Sequence, residues 1–536
     1  MYKRIIILLF FSICCVCIAQ ELWERTYGKY DDMNCAYSIT QTTDGGYAIA
    51  GKSQQFGKSF SNVYCVRIDA MGDTIWNRTF SRDIDYADEG YSIKQTVDQG
   101  FIIAGYTTGL GGYSDFYLIK LNSSGYLQWD RVYGGIEEDR AFSVIQTPDS
   151  GFAIVGFTQS YGAGLYDIYL VRTNASGDTV WTRTYGGSEY DGAYSIAQTP
   201  GGGFIIGGWT WSFGEGRNDF YVVKTDFWGD TIWTRTYGGI EDDEAKSIVP
   251  TDDGGYVIVG STRSFGEGRS DVFLVRINPE GDTLWTRTYG GSEDDKGESV
   301  IQTADSCFLI AGWTRSFSDI CTHEETDVFS IKTDSWGDTI WTRTYGGKHE
   351  DYGYSVIQAA DGKYITAGET WSISIDRNDA YLIKSDDFGF SGTQWYFISQ
   401  GWNLFSFPFQ DSLSITESFP SALSSFILNP TMRAYDIVDS INFSSGFWLF
   451  SLSDTVVAVY GSIDAASITI TFYPGWNLIG GPSTGIDASI LTSYGEILAP
   501  IYGFDSETNT YFDAEILCPG FAYFVRALDT LEIEFR

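Results

Sequence analysis

An all-β repeat architecture is what this sequence predicts, on three observations. Seven tryptophans stand almost evenly along the chain, Trp23, Trp76, Trp129, Trp181, Trp233, Trp285 and Trp341, with gaps of 53, 53, 52, 52, 52 and 56 residues. Each opens the phrase W-x-R-x-Y/F, and in five of the seven copies Gly-Gly follows at once. Aromatics make up 17% of the 536 residues and 61 residues are glycine, a composition of many short strands joined by tight turns. A period near 50 marks units that bury their apolar faces only against their neighbours.

In chain order, residues 1–19 come first and read as a secretory signal. Lys3 and Arg4 supply the charged end, Ile5 to Ile18 the apolar stretch, and Ala19 a small residue at the cut before Gln20. The run is short for a membrane span, and no later segment has the length and apolarity to cross a bilayer. Cys14, Cys15 and Cys17 follow Ile, Cys and Val, which disfavours lipidation. An extracellular or surface location is therefore expected.

The copy that starts at Trp181 resolves into four strands. These are Trp181 to Tyr185, Ala193 to Gln198 after a Gly-Gly-acidic loop, Phe204 to Trp211 after a turn at Gly201 to Gly203, and Asp219 to Thr225. Gly229 then turns the chain back to Trp233. Strands of this length with Gly and Asp turns are what antiparallel hairpins require. Seven four-stranded units give a seven-bladed β-propeller over residues 20–394. The tryptophan strand comes first in each copy, and the last copy ends at Tyr381 to Ser385 with no successor. Residues 22–27 are therefore expected to complete the blade built from residues 352–385, closing the ring and leaving no exposed terminal edge. The resulting scaffold is read as a monomer.

Alternation puts Trp233, Arg235 and Tyr237 on one strand face. A tryptophan wedged between blades buries on the order of 200 Å², roughly 5 kcal/mol before entropy, so the seven indoles are expected to dominate the inter-blade contacts. Two further positions recur. An arginine stands two after each tryptophan, and an acid or amide (Asn62, Asp115, Asp167, Asp219, Asp271, Asp327, Asp379) opens the preceding strand. Folding the hairpin about Gly229 predicts a repeated Asp219–Arg235 type of pair.

The character changes after residue 394. Gly401-Trp402-Asn403-Leu404 returns as Gly475-Trp476-Asn477-Leu478, and Ser445-Gly446-Phe447 as Pro519-Gly520-Phe521, both at an offset of 74. Residues 395–536 are expected to be a smaller, sandwich-like β domain made of two such repeats, with Arg433, Arg526 and Arg536 its only basic residues.

Chemistry is sparse. With 34 basic against 70 acidic residues the net charge is −36, which repels phosphate backbones and excludes nucleic-acid binding as a function class. His323 and His349 are the only histidines and show no zinc spacing. Gly481-Pro482-Ser483-Thr484-Gly485 looks like a hydrolase elbow, but no histidine follows it, so it reads as a turn. Cys35, Cys65, Cys307, Cys321 and Cys518 remain after signal removal, an odd set whose repeat positions do not favour bridges. The acids Glu241-Asp242-Asp243 and Glu293-Asp294-Asp295 belong to the repeat. They read as solvated loops, although loop acids of this kind can also hold calcium. No cofactor is expected.

The positions that differ between copies carry the functional reading. After the glycine of the strand that holds Phe204 stand Lys52, Tyr106, Phe157, Trp209, Ser261, Trp313 and Glu369 in successive copies. Two further on stand Gln54, Thr108, Gln159, Trp211, Arg263, Arg315 and Trp371. Aromatic platforms beside acids and amides grip sugar rings; the plainer reading is that the rings pack between blades. Tyr106, Phe157, Trp209, Trp211, Trp313, Trp371, Arg263 and Arg315 are the candidate ligand-binding residues, with no catalytic or metal residue assigned.

Tyr185-Gly186-Gly187, Asp191, Gly203-Phe204, Gly208, Thr210, Ser212, Asp219 and Gly229 together resemble the seven-bladed β-propeller repeats of large secreted bacterial proteins, over roughly residues 22–394. The Gly-Trp-Asn-Leu units resemble C-terminal modules of similar exported proteins. The resemblance implies a surface or extracellular scaffold and carries no catalytic residues. It departs from sialidase Asp-boxes, where glycine precedes tryptophan by three residues, whereas Gly177 precedes Trp181 by four. It also lacks the docking string and vicinal cysteines of quinoprotein dehydrogenases. The expected function is a non-enzymatic binding or adhesion scaffold for a polysaccharide or surface protein. The alternative is a polysaccharide hydrolase with paired acids such as Asp243 and Asp295 at the ring mouth.

Overall fold

The computed structural model describes residues 22–387 apart from 29–31, 56–59, 83–85, 110–111, 318–324, 348 and 373–377; beyond 387 it describes the strands alone. The signal segment, Cys321, Cys518, His323 and the Ser483 turn lie outside the described residues.

Seven four-stranded antiparallel sheets follow one another as the blades of a propeller. Blade 4 is representative, with strands Asp191–Gln198, Phe204–Thr210, Asp219–Thr225 and Thr231–Tyr237 from the inside outward. The tryptophan strand is the outermost. Blade 7 takes its outer strand from the other end of the chain: Trp23–Tyr27 pairs with Asp379–Ser385, Trp23 opposite Lys384 and Tyr27 opposite Ala380. The ring therefore closes as the repeat phase requires. Two more bonds tie the seam, Asn34 N to Asn378 O at 2.9 Å and Ala360 N to Gln41 Oε1 at 3.0 Å.

The inter-blade core comes from the two middle strands. Phe204, Ile206, Tyr221 and Val223 of blade 4 pack on Ala153, Val155, Ile168 and Leu170 of blade 3, all buried. This corrects the expectation that the indoles dominate: only Trp23 and Trp341 are buried, and the other five remain partly exposed at the outer edge. They still join blades. The Trp181 indole meets the turn glycine Gly229 of the next blade, where an added Cβ would sit 2.8 Å from the ring and φ is +80°. From the same strand face the Tyr185 hydroxyl donates to Gly229 O at 2.7 Å. The arrangement recurs as Tyr133 to Gly177, Tyr237 to Gly281 and Tyr289 to Gly337.

The expected Asp219–Arg235 pair does not form. The hairpin register sets Arg235 opposite Val222, so Asp219 lies near the far end of the hairpin from that guanidinium. Arginines of this set reach forward to the turn aspartate of the next blade instead, as in Arg25–Asp73 at 2.7 Å, Arg183–Asp230 at 3.3 Å and Arg287–Asp338 at 3.2 Å. Asp219 accepts the backbone amides of Glu215 and Gly216 at 3.0 and 3.2 Å and so fixes the loop before its own strand.

Beyond the propeller, strands Thr393–Ile398, Gly401–Phe405, Leu413–Ser414, Ala422–Asn429, Ala434–Ile437, Ser440–Ile441, Phe447–Ser451 and Thr455–Tyr460 pair first with last, second with seventh and third with sixth. Residues 468–535 repeat the scheme strand for strand, from Ile468–Phe472 paired with Leu531–Phe535 inward. The pairing thus carries the same twofold repetition as the Gly-Trp-Asn-Leu motif.

Candidate functional site at the channel mouth

Every innermost strand carries a β-bulge at one place. In blade 3, Ala141 and Ser143 pair with the consecutive residues Gly156 and Val155, so Phe142 is skipped. The glycine opposite is obligatory, because a Cβ on Gly156 would run into the Arg140 carbonyl oxygen. The skipped residues of the seven blades are Tyr37, Tyr91, Phe142, Tyr194, Lys246, Glu298 and Tyr354.

Their side chains meet around the axis. Ring centroids lie 4.7 Å apart for Tyr37–Tyr91, 5.0 Å for Tyr91–Phe142, 4.9 Å for Phe142–Tyr194 and 5.4 Å for Tyr37–Tyr354. The Lys246 ammonium sits 3.9 Å from the Tyr194 ring centroid and 2.9 Å from Glu244 Oε1. The channel is therefore an aromatic belt on one side and a charged sector on the other. Burial opposes charge on Lys246, but Tyr194 and Glu244 together push its pKa up. Burial likewise acts against the Glu244 carboxylate, yet the Lys246 charge holds its pKa below the usual range. Glu298, without so close a cation, is pushed up by burial.

The candidate residues ring this belt on the loop-bearing face, and the structure separates them into two groups. Tyr106 is buried, and Phe157, Trp209 and Trp313 are half-buried, so the plainer packing reading fits this group. Tyr106 lies under the Arg140 guanidinium at 4.6 Å, Phe157 against Tyr166 at 4.7 Å, and Trp313 against Tyr352 at 5.7 Å with Lys296 over its ring. Trp211 and Trp371, past the strand ends, are 46% and 40% exposed, and Arg263 and Arg315 are exposed as well. A cavity of about 450 Å³ opens where blades 7 and 1 meet, with Trp371, Glu369 and Gln54 among its walls.

The acids named for the hydrolase alternative are part of the frame. Asp243 and Asp295 are fully buried, accepting from Gly239 N and Ser264 Oγ at 2.8 and 2.7 Å and from Gly291 N and Ser316 Oγ at 2.8 and 2.6 Å. Each holds the Gly-Gly loop that leads from the preceding blade into its own. Among the described residues no group of three or more His, Cys, Asp or Glu side chains is placed to hold a metal ion. Cys35 and Cys65 are buried free thiols on strands separated by a third, as the register implied.

Two recurrent elements were not singled out in the sequence. One is the bulge ring, whose signal is the string Ala/Gly-x-Ser in each copy. The other is a buried cation near the end of the third strand in six of the seven blades, paired with an aspartate of the neighbouring turn, as in Arg172–Asp149 at 2.6 Å, Lys120–Asp98 at 2.8 Å and Lys384–Asp361 at 2.7 Å; in blade 4 the half-buried Lys224 donates to Pro279 O instead.

No protein-family model matches the chain. A curated relative, the regulatory protein FlaEY of Caulobacter vibrioides, is 29% identical over 234 residues, 39% of this chain, and the aligned part spans 24% of that protein's length. Among solved structures, the extracellular domain of a hybrid two-component system from B. thetaiotaomicron aligns over 81% of this chain and 58% of its own, at 12% identity and a TM-score of 0.37. Drosophila plexin A in complex with semaphorin 1b aligns over 69% and 87%, at 8% identity and the same TM-score of 0.37. At these scores the propeller assignment stands on the strand pairing itself.

Proposed function

We propose that the protein is an exported, non-enzymatic binding scaffold whose loop-bearing face takes a carbohydrate chain. The observation that carries this reading is the contrast within each blade: frame positions repeat, while mouth positions differ and leave the indoles of Trp211 and Trp371 exposed, the second beside Glu369, Gln54 and Asn378. Indoles offer a flat apolar face at low conformational cost, and neighbouring carboxylates and amides accept hydroxyl donors. Half-buried Trp209 and Trp313 keep part of their surface open, and exposed Arg263 and Arg315 add donors on blades 5 and 6.

Glycan-array binding by the intact chain, weakened about tenfold or more by Trp211→Ala or Trp371→Ala, is the expected result. Arrays left empty while a surface protein is bound through the same residues would replace the ligand class. Release of reducing sugar from polysaccharides would replace binding by hydrolysis. Export is checked by fractionation, with the mature chain found outside the cytoplasm.

A further inference from the structure

The junction of blades 7 and 1 differs from that of blades 3 and 4 at four equivalent positions. Between blades 3 and 4 the space beside the channel ring is filled by a run of rings, Phe157 to Tyr166 at 4.7 Å, Tyr166 to Tyr190 at 5.1 Å and Tyr190 to Trp211 at 5.2 Å. The strand register places Glu369, Asn378, Met33 and Gln54 at the corresponding positions of the closing seam. Four non-aromatic side chains in place of four rings leave the cavity of about 450 Å³, a volume within the usual range of small-ligand clefts.

One atom in its wall calls for a donor. Asn378 is 6% exposed and lines the cavity; its Nδ2 donates to Glu369 Oε2 at 2.7 Å, and its Oδ1 has no hydrogen-bond partner. That oxygen is itself covered, so a ligand O–H or N–H reaches it once the Asn378 side chain turns toward the cavity, a turn favoured by the cost of leaving a buried acceptor unpaired. Glu369 also accepts from the Tyr354 hydroxyl at 2.7 Å, and Glu350 brings a second carboxylate. Among the described residues of the wall the cation is Lys52, engaged over the Tyr37 ring at 5.6 Å and 4.0 Å from Glu89. Trp371 supplies a partly exposed indole at the rim. An acceptor-rich floor beside a flat apolar wall matches a molecule with several hydroxyl donors and one C–H face, and its carboxylates disfavour an acidic one.

We infer that this seam cavity binds a single non-acidic pyranose residue, with hydroxyls donated to Asn378 Oδ1 and the glutamates and the ring face laid on Trp371. The inference rests on the carbohydrate reading of this face and names its anchoring subsite. The test is saturation-transfer NMR and titration of the full chain with methyl glucoside, galactoside and mannoside, and with glucuronic acid. Trp371→Ala, Asn378→Ala and Gln54→Trp act on the seam, and Trp228→Ala, in the turn between the strands Asp219–Thr225 and Thr231–Tyr237 of blade 4, is the control away from the binding face. At least one neutral hexoside is expected to bind, each seam variant to weaken it about tenfold, and Trp228→Ala to leave it unchanged. Gln54→Trp copies the residue of blade 4 and fills the cavity from its rim, so it keeps the test decisive if Asn378→Ala fails to fold. Unchanged hexoside affinity in all three seam variants overturns the subsite while array binding sustains the scaffold reading. Tighter binding of the uronic acid overturns the non-acidic class. An empty array together with no hexoside binding overturns both readings.

Discussion

The outer edge of the ring and its channel mouth are built from the same repeated unit, yet the first is nearly sevenfold symmetric and the second is not. At the edge, one lock of indole, turn glycine and tyrosine hydroxyl recurs from blade to blade. At the mouth, the bulge ring runs from four aromatics through Lys246 and Glu298 to Tyr354, and one junction is packed with rings while another holds a cavity. The difference teaches where each kind of information sits. A lock between neighbours must be the same in every blade, or the blades would not meet at equal angles. The mouth closes no ladder and is free to carry chemistry.

The contrast breaks most severely at a turn glycine. Gly229→Ala needs a left-handed backbone and drives a methyl into the Trp181 indole, and is expected to cost about 3 kcal/mol in chemical denaturation. Gly201, with no atom near its added Cβ, is the control, and its alanine variant should be near neutral. In the channel, Lys246→Met removes the ion-pair partner of Glu244 and one of the cations that offset the buried Glu298 charge, and should cost about 2 kcal/mol, with Glu298→Gln recovering part of the loss. At the edge, Tyr185→Phe removes one hydroxyl bond and should cost about 1 kcal/mol, mimicking blade 1, where Phe80 occupies that position. Asp230→Ala breaks only an exposed ion pair; about 0.5 kcal/mol or less is expected, vanishing in high salt.

Acidity sharpens the same comparison along the frame. Burial pushes the Asp351 carboxyl up to about 7, and burial with the Asp139 charge pushes Asp115 up to about 6. The folded protein therefore keeps protons that the unfolded chain releases near pH 4. The contribution of these groups is full below that pH and is lost as pH rises through 6 and 7. Asp305 behaves oppositely: burial would raise it, but the Thr303 hydroxyl and Lys332 hold it at about 2, so its contribution is present above pH 4 and is lost as pH falls toward 2. Melting temperature is expected to be highest between about pH 4 and 6 and to decline toward 8. Asp351→Asn, which copies Asn34 of blade 1, should flatten that decline; a melting temperature that rises from pH 5 to 8 would contradict it.

Much of this was legible in the residues. The phase of the tryptophan strand demanded closure by residues 22–27, and the pairing of Trp23 with Lys384 delivers it. Strand limits read from the Trp181 copy fall within two residues of the observed ones. The arginine partner was misplaced because a repeat fixes positions within a unit but not which side chain of the next unit comes alongside. The channel ring escaped because strict alternation fails at a one-residue bulge, so Tyr194 and its equivalents leave the face that period two assigns them. The candidate aromatics were found as a set, but their division into half-buried Trp209 and exposed Trp211 depends on where each strand ends relative to the ring.

The sequence by itself determined the number of blades, their four strands and the way the ring closes. These follow from periodicity and turn chemistry, which act over a few residues and repeat. Tertiary structure alone decided which residues from different blades share the axis and which junction stays open. Those facts depend on side chains about 50 or, at the seam, more than 300 residues apart meeting in one place, and no local pattern records such a meeting.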